Sequence, residues 1–337
     1  MSYKIEIEGS DVTFDCAAGQ SVLDAALRAG IELPYSCRKG VCGNCAGSIA
    51  SGEVQPCATV PMHNETCQAA QVLYCGCTPV SDLRIAPVSW KRYDPAARKT
   101  WTVKVYSNEL AAPDVSVLRL RLPTGQRARF QAGQYLQVRM DDGSARCYSM
   151  ANPPQESDGV ILHIRHVPGG LFSSKVAGLK PGDMLSIELP YGHVNLQPED
   201  QRPIVFVAGG TGFAPVKSIL DDMARRKVQR EIMLIWGARE ASGLYMEGAV
   251  DKWRRQWPAL RYVPALSGAP VDGAPGAYAG RVDEALRVHA PDLSGQVVYA
   301  CGSPAMVESV RRVALAAGAA ASDIHADAFV SGPVAAG

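Results

Sequence analysis

The chain has 337 residues, 47% of them hydrophobic, and 34 basic against 33 acidic side chains leave a formal net charge of +1. That length points to two or three domains, the apolar share is enough for globular cores, and the charge balance removes the electrostatic case for a nucleic-acid or anionic-membrane partner. No apolar run approaches the roughly 20 residues a membrane span needs. The start, Met1-Ser-Tyr-Lys-Ile-Glu-Ile-Glu, lacks the apolar core of an export signal. Ten cysteines in such a chain predict a cytoplasmic, reducing setting, with thiols used for metal ligation rather than disulfides.

In chain order, residues 3–8 alternate polar and apolar and Val12-Thr-Phe14 follows a Gly9-Ser-Asp turn, which predicts a β-hairpin. Ser21 is placed to cap a helix over Val22–Ala29, and Gly30 to stop it. Next comes Pro34-Tyr-Ser-Cys37-Arg-Lys-Gly40-Val-Cys42-Gly43-Asn-Cys45, a C-x4-C-x2-C run. This is the ligand spacing of a plant-type [2Fe-2S] cluster. Three thiolates so close in sequence need a tight loop around the inorganic core, and glycine at 40 and 43 lets backbone amides face sulfur without an intervening side chain. Zinc knuckles use two C-x2-C pairs, and Cys75-Gly-Cys77 is not one.

Only one of Cys75 and Cys77 can be the fourth ligand. Leu73-Tyr-Cys75-Gly-Cys-Thr-Pro79 resembles the Leu-x-Cys-x-x-x-Pro segment of plant-type ferredoxins, which favours Cys75. Cys16, Cys57, Cys67, Cys147 and Cys301 read as small buried hydrophobes. The segment as a whole, closing with Asp82-Leu-Arg-Ile85, is similar to the β-grasp fold of those ferredoxins and is assigned residues 1–90. Residues 91–99 read as a linker, with the charge of Lys91, Arg92, Arg98 and Lys99 taken up by solvent.

From Trp101 short strands recur: Thr102–Tyr106, Val115–Leu122, Tyr135–Met140, Val160–Arg165 and Met184–Leu189. Their spacing predicts an antiparallel β-barrel over residues 100–199. Beyond Arg202, buried strands at Pro203–Ala208, Ile232–Trp236 and Val297–Ala300 alternate with helices, which predicts a parallel α/β sheet over 200–334. The Ala-rich Ala314–Ala321 reads as a helix end followed by a short flexible tail.

Two motifs lie in the barrel. Arg146-Cys-Tyr148-Ser149, ahead of Asn152, resembles the R-x-Y-S signature of the ferredoxin-NADP reductase superfamily. The resemblance implies a Tyr against the isoalloxazine ring of FAD, a Ser bonded to it and an Arg at the pyrophosphate; an aromatic face and a planar guanidinium suit those partners. Pro168-Gly169-Gly170-Leu171-Phe172-Ser173 is expected to open a short helix at Ser173–Val176 and to hold the diphosphate. Phe329 matches the aromatic that covers the flavin in that superfamily, against the plain reading of a core residue.

In the parallel sheet, Ala208-Gly209-Gly210-Thr211-Gly212-Phe-Ala-Pro215 leaves a buried strand and enters a helix, so a dinucleotide can approach its backbone. Cys301-Gly302-Ser303-Pro304-Ala-Met306 resembles the C-G-P-x-x-M element that borders the nicotinamide, with Ser303 in place of its proline. Arg239 and Ser242 favour the 2′-phosphate of NADPH and Glu240 favours NADH.

Taken whole, residues 3 to about 330 resemble the reductase components of aromatic ring-hydroxylating dioxygenases with an N-terminal ferredoxin domain. Gln20–Leu27, Glu32–Lys39, Lys104–Ser107 and Leu234–Arg239 carry that likeness. It implies electron flow from NAD(P)H through FAD and the cluster to a separate Rieske-type oxygenase that binds the aromatic acid. The chain has no C-x-H pair and its six histidines are scattered, so no Rieske or mononuclear iron site of its own is expected. No side chain is expected to act as acid, base or nucleophile. The alternatives are a reductase for a deoxysugar dehydrase or a soluble monooxygenase, and a redox-sensing module.

Overall fold

The alternation near the N-terminus becomes strand β1 (Ser2–Ile7), which pairs antiparallel with β2 (Thr13–Ala17) in the expected hairpin. Helix α1 (Val22–Arg28) follows: the Ser21 hydroxyl accepts from the Asp24 amide at 3.1 Å, and Gly30 takes φ +73° to end it. The computed structural model describes all residues except 59–70, 95–96, 194–195, 197–198, 269–275, 331–333 and 336–337. These form two compact units, Met1–Ala97 with Ala326–Val330, and Arg98–His325 with Ser331–Gly337.

The first unit continues with β3 (Ile31–Glu32), β4 (Ala46–Ser51), β5 (Val54–Pro56), β6 (Gln71–Leu73), β7 (Cys77–Pro79), β8 (Leu83–Pro87) and β9 (Lys91–Arg92). A five-stranded mixed sheet in the order β2-β1-β8-β4-β6, with β1 parallel to β8, makes the β-grasp. Leu23 and Leu27 of α1 enter its core beside Ile5, Ile7 and Phe14, each such burial contributing about 1.5–3 kcal/mol. Tyr74 is fully buried beside the cysteines. A Cβ on Gly47 would stand 2.3 Å from its hydroxyl, so only glycine leaves the ring room, and that hydroxyl donates to the Ser48 carbonyl at 2.9 Å. The predicted linker is partly structured: β9 pairs with β3, Lys91 meets Glu32 at 3.1 Å, and the Tyr93 hydroxyl donates to Leu27 O at 2.5 Å. Lys91 remains half exposed, so it faces solvent as well as Glu32.

The second unit begins with β10 (Lys99–Ala112), β11 (Val115–Arg121), β12 (Tyr135–Arg139), β13 (Ser144–Ser149), β14 (Gly159–Arg165) and β15 (Met184–Tyr191). They pair antiparallel in the order β14-β11-β10-β15-β12-β13, and a bridge from Met150 to Leu162 brings the far edge back to β14, closing the expected barrel. The parallel part comprises β16 (Ile204–Gly209), α2 (Phe213–Arg225), β17 (Ile232–Ala238), α3 (Glu247–Gln256), β18 (Arg261–Leu266), β19 (Tyr278–Ala279), α4 (Val282–His289), β20 (Val297–Gly302) and α5 (Pro304–Ala316). Strands β19-β18-β17-β16-β20 lie side by side in that order, all parallel. Strand β21 (Ile324–Ala328) follows. The tail then forms β22 (Val334–Ala335), which pairs with Ser144 and Ala145 of β13, where a flexible end was expected. Among the described residues no helix is long and apolar enough to cross a membrane.

Candidate functional site

The cysteine loop folds as its glycines require. Gly40 and Gly43 take φ +75° and +78°, and Arg38, unexpectedly, φ +54°. The Arg38 guanidinium bonds Asp24 at 2.6 Å, holding that strained residue against α1. The loop turns its amides to sulfur: those of Lys39, Val41 and Cys42 point at Cys37, and that of Asn44 at Cys42.

The free thiols meet in two hydrogen-bonded pairs, Cys37 with Cys42 and Cys45 with Cys75. The Cys42 hydrogen bond holds the Cys37 thiol low, at about 6, in spite of burial. Within the pairs, Cys42 is pushed well up by its bond to Cys37 and then by burial, and Cys45 by its bond to Cys75 and then by burial. No three groups among the described residues converge on a point one ion would fill. Two facing pairs of thiols, ringed by amides, instead fit a core of two irons with two protein sulfurs each. Cys75 is delivered by the turn after Tyr74, whose amide donates to Cys45 O at 3.0 Å. Cys77 lies in β7, fully buried in the unit's core. Cys16, Cys57 and Cys301 are buried as expected; Cys147 is exposed, because β13 turns it outward between Arg146 and Tyr148, and Cys67 lies outside the described residues.

The barrel motifs also meet. Arg146 and Tyr148 are two apart on β13 and so share one face of the strand. The Tyr148 ring lies 5.4 Å from that of Phe172, which joins the two segments, and burial pushes its phenol well above the usual tyrosine range. The Arg146 guanidinium, half-buried, donates to Ser144 Oγ at 3.0 Å and Ala145 O at 2.9 Å. Ser149 and Ser173 are buried, Leu171 is exposed, and Phe172 is in the barrel core. No α-helix opens at Ser173. Gly169, at φ +75°, starts a run of turns that ends in one 3₁₀ turn at Val176–Gly178; a Cβ on Gly170 would fall 2.2 Å from Ser173 Oγ. The tight glycine turn thus replaces the expected helix end as the source of exposed amides. An aromatic corner, a guanidinium and a glycine turn on one barrel face fit a flat ring carrying a diphosphate. Phe329 is half-buried just beyond β21 and is counted with the first unit.

The third set is the most tightly determined. β16 and β20 are neighbours, yet the chain after β16 passes to β17 on the other side, so the crevice at their carboxyl ends is a topological switch point. There a Cβ on Gly209 would stand 2.7 Å from Met306 Sδ, one on Gly302 2.5 Å from the same sulfur, and one on Gly212 2.0 Å from Cys301 O. The two predicted segments interlock backbone against backbone. Thr211 lies in the 3₁₀ turn Gly210–Gly212 that enters α2, and Pro215 is buried in its first turn. Ser303 has a structural reason for replacing proline: its hydroxyl caps α5, accepting from Met306 N at 3.4 Å, with Pro304 starting the helix. Arg239, Glu240 and Ser242 are exposed just past the end of β17.

Sequence reasoning passed over several residues here. Trp236 donates its indole N–H to Gly210 O at 3.0 Å and stacks on Phe213 with ring centres 3.8 Å apart, pinning the glycine turn. The Arg165 guanidinium lies 3.0 Å from where a Cβ of Gly210 would be, and pairs with Asp114. His163 of the barrel meets the Tyr245 hydroxyl at 3.0 Å through Nδ1; burial pushes its pKa down to about 3, so it is neutral. An aromatic at the end of a buried strand, as in Leu-Ile-Trp236, was the only signal available.

Residues 5–80 match the family profile described as a 2Fe-2S iron-sulfur cluster binding domain, 102–196 that of an oxidoreductase FAD-binding domain, and 206–312 that of an oxidoreductase NAD-binding domain. Reductase component 2 of terephthalate 1,2-dioxygenase from a Comamonas species is 60% identical over 336 residues, 99% of each chain. The CDP-6-deoxy-L-threo-D-glycero-4-hexulose-3-dehydrase reductase of Yersinia pseudotuberculosis is 35% identical over 98% of this chain and 99% of its own. Among solved structures, the cytochrome P450 reductase GcoB of Amycolatopsis superposes with TM-score 0.76 at 31% identity, covering 97% of this chain and 98% of that one.

Proposed function

The chain belongs to the family of reductases that join a [2Fe-2S] domain, an FAD domain and an NAD(P) domain in one polypeptide, and we propose that it is the reductase component of a terephthalate 1,2-dioxygenase system. It is an oxidoreductase that passes electrons from NAD(P)H through FAD and a [2Fe-2S] cluster. When bound, the flavin takes up electrons as a hydride pair and gives them out singly, which reconciles a two-electron donor with a one-electron cluster. The rest is positioning by the chain itself.

In this reading Cys37, Cys42, Cys45 and Cys75 would hold the cluster, and the loop amides that point at Cys37 and Cys42 would favour its reduced, more negative form. Tyr148, Ser149 and Phe329 border the flavin ring; Arg146 and the Gly169–Ser173 turn hold its diphosphate. Gly210, Thr211, Gly212 and Pro215 form the cradle for the dinucleotide, while Cys301, Gly302 and Met306 keep the nicotinamide side of the crevice narrow. The proposed domains are 1–90, 100–199 and 200–334, with 91–99 as the connection between the first two. The partner is a Rieske-type oxygenase, and the setting the cytoplasm, where NAD(P)H is supplied and thiolates stay reduced.

The observation that carries the choice of partner is 60% identity along the whole chain to a terephthalate dioxygenase reductase, against 35% to a dehydrase reductase. Anaerobically reduced protein is mixed in a stopped-flow cell with purified terephthalate oxygenase and, separately, with a deoxysugar dehydrase. Rapid reoxidation by the oxygenase alone is expected; reoxidation by the dehydrase alone would overturn the assignment.

NADPH is the proposed donor, on Arg239 and Ser242. Exchanging Arg239 for glutamate replaces a charge-assisted bond to the 2′-phosphate with repulsion, and is expected to lower kcat/KM for NADPH on the order of 10- to 100-fold relative to NADH. A ratio that does not change would remove Arg239 as the reader of the 2′-phosphate, and with it the argument for NADPH.

A further inference from the structure

We propose that Asn44, helped by Ser36, is a positioning residue for reduction of the cluster, acting by clasping the C-terminal segment Ala326–Val330 onto the cysteine loop. The inference rests on the electron-relay reading above and adds to it the step at which electrons enter the first unit.

Asn44 lies between two of the proposed iron ligands, Cys42 and Cys45. Its carboxamide makes two hydrogen bonds to one residue 282 positions away: Nδ2 donates to Ala326 O at 2.8 Å, and Oδ1 accepts from Ala326 N at 3.3 Å. In a strand the N–H and C=O of one residue point the same way, so a side-chain amide that meets both stands where another strand would be. Ala326 is 3% exposed, so these backbone groups need partners from protein. One residue further on, Asp327 accepts a hydrogen bond from the Ser36 hydroxyl, and Ser36 is next to Cys37. Ligand neighbours at both ends of the loop therefore grip adjacent residues of one short segment.

That segment has an unusual place in the chain. The polypeptide passes between the two compact units at Ala97–Arg98, His325–Ala326 and Val330–Ser331. Two of the three crossings flank the gripped residues, and Phe329 lies between them. The clasp thus holds on the loop a segment that the chain enters from the second unit at His325 and leaves for it at Ser331. Hydrogen bonds from Asn44 and Ser36 also complete two bonded routes from Phe329 to cluster ligands: through Ala326 and Asn44 to Cys45, and through Asp327 and Ser36 to Cys37.

The test uses the full-length holoprotein and the variants Asn44→Ala, Asn44→Asp and Ser36→Ala. Anaerobic stopped-flow mixing with NADPH separates loss of flavin absorbance from the later loss of iron–sulfur absorbance. In Asn44→Ala the first phase is expected at the wild-type rate and the second slowed at least about tenfold. Asn44→Asp keeps the acceptor for Ala326 N but loses the donor to Ala326 O, and falls between. The electron paramagnetic resonance spectrum and midpoint potential of the dithionite-reduced cluster should match wild type, and hydrogen exchange at Ala326–Val330 should accelerate. A wild-type second phase in Asn44→Ala overturns the proposal, and so does a slowed phase accompanied by a shifted potential, which would make Asn44 a tuner of the cluster. If wild-type protein itself shows flavin reduction but no second phase, the relay reading has failed instead.

Discussion

Replacing Cys75 with serine is expected to strip the protein of its iron–sulfur absorbance, while the same change at Cys77 leaves it in place. The two thiols are two positions apart in sequence and differ in what they meet. Both are buried in the same core, but Cys75 hydrogen-bonds Cys45 on the turn behind Tyr74, whereas Cys77 lies in a strand whose partner is β5. A serine at 75 leaves one pair of sulfurs without its second member, and a hydroxyl does not ionise to serve as a thiolate does. Outer-shell changes at metal sites already cost roughly 10- to 100-fold in affinity or activity, and loss of a ligand should exceed that. NADPH-dependent reduction of cytochrome c through the cluster should therefore fall at least about 100-fold. Flavin absorbance and its bleaching by NADPH should stay intact, since the barrel and the parallel sheet form a separate unit. A buried hydroxyl at 77 costs about 1–3 kcal/mol, which shows as a lower melting temperature with normal iron content. Iron lost from Cys77→Ser and kept in Cys75→Ser would reverse the assignment.

How much of this was legible in the sequence depends on whether a feature is local. Three cysteines within nine residues, with glycines between, announce their loop before any fold is known, and the hairpin, the capped helix and the apolar strands β16, β17 and β20 fall where their patterns place them. The choice between Cys75 and Cys77 is not local. It needs the fold to show which thiol meets Cys45 and which is held in a strand paired with β5, and the sequence could only offer a likeness. Strand β13 was missed because Arg-Cys-Tyr-Ser has no clean alternation: Cys147 points outward beside two residues whose length and polarity suit a ligand face. The helix expected at Ser173 fails because Gly169 and Gly170 start a turn that closes on Ser173 itself, leaving too few residues before Gly178 to propagate. The clasp between Asn44 and Ala326, like the indole bond from Trp236 to Gly210, spans a separation at which sequence carries no pairing signal at all.

The second large effect is expected at Gly212. Most glycines of a dinucleotide turn are explained by freedom of φ, but Gly212 has φ −57°, an ordinary helical value open to any residue. Its need is for space: a Cβ would lie 2.0 Å from Cys301 O and 2.5 Å from Cys301 C, both backbone atoms of the neighbouring strand. A flexible side chain could turn aside from such a clash; a carbonyl held in a parallel ladder cannot. Gly212→Ala must therefore part the ends of β16 and β20, the crevice that is to take the nicotinamide. Overpacking of this kind costs about 1–3 kcal/mol, and because the strain falls on the binding crevice we expect kcat/KM for NADPH to drop at least about tenfold. Reduction by dithionite should be unaffected, and so should the flavin and iron content, which places the defect at hydride entry. Gly248→Ala in α3 is the control, since nothing lies within 4 Å of its new methyl group, and alanine is the better helix former by roughly 1 kcal/mol. Should Gly212→Ala retain wild-type kcat/KM, the crevice between β16 and β20 is not where the nicotinamide enters, and the cradle assigned to Gly210, Thr211 and Gly212 would have to be given up with it.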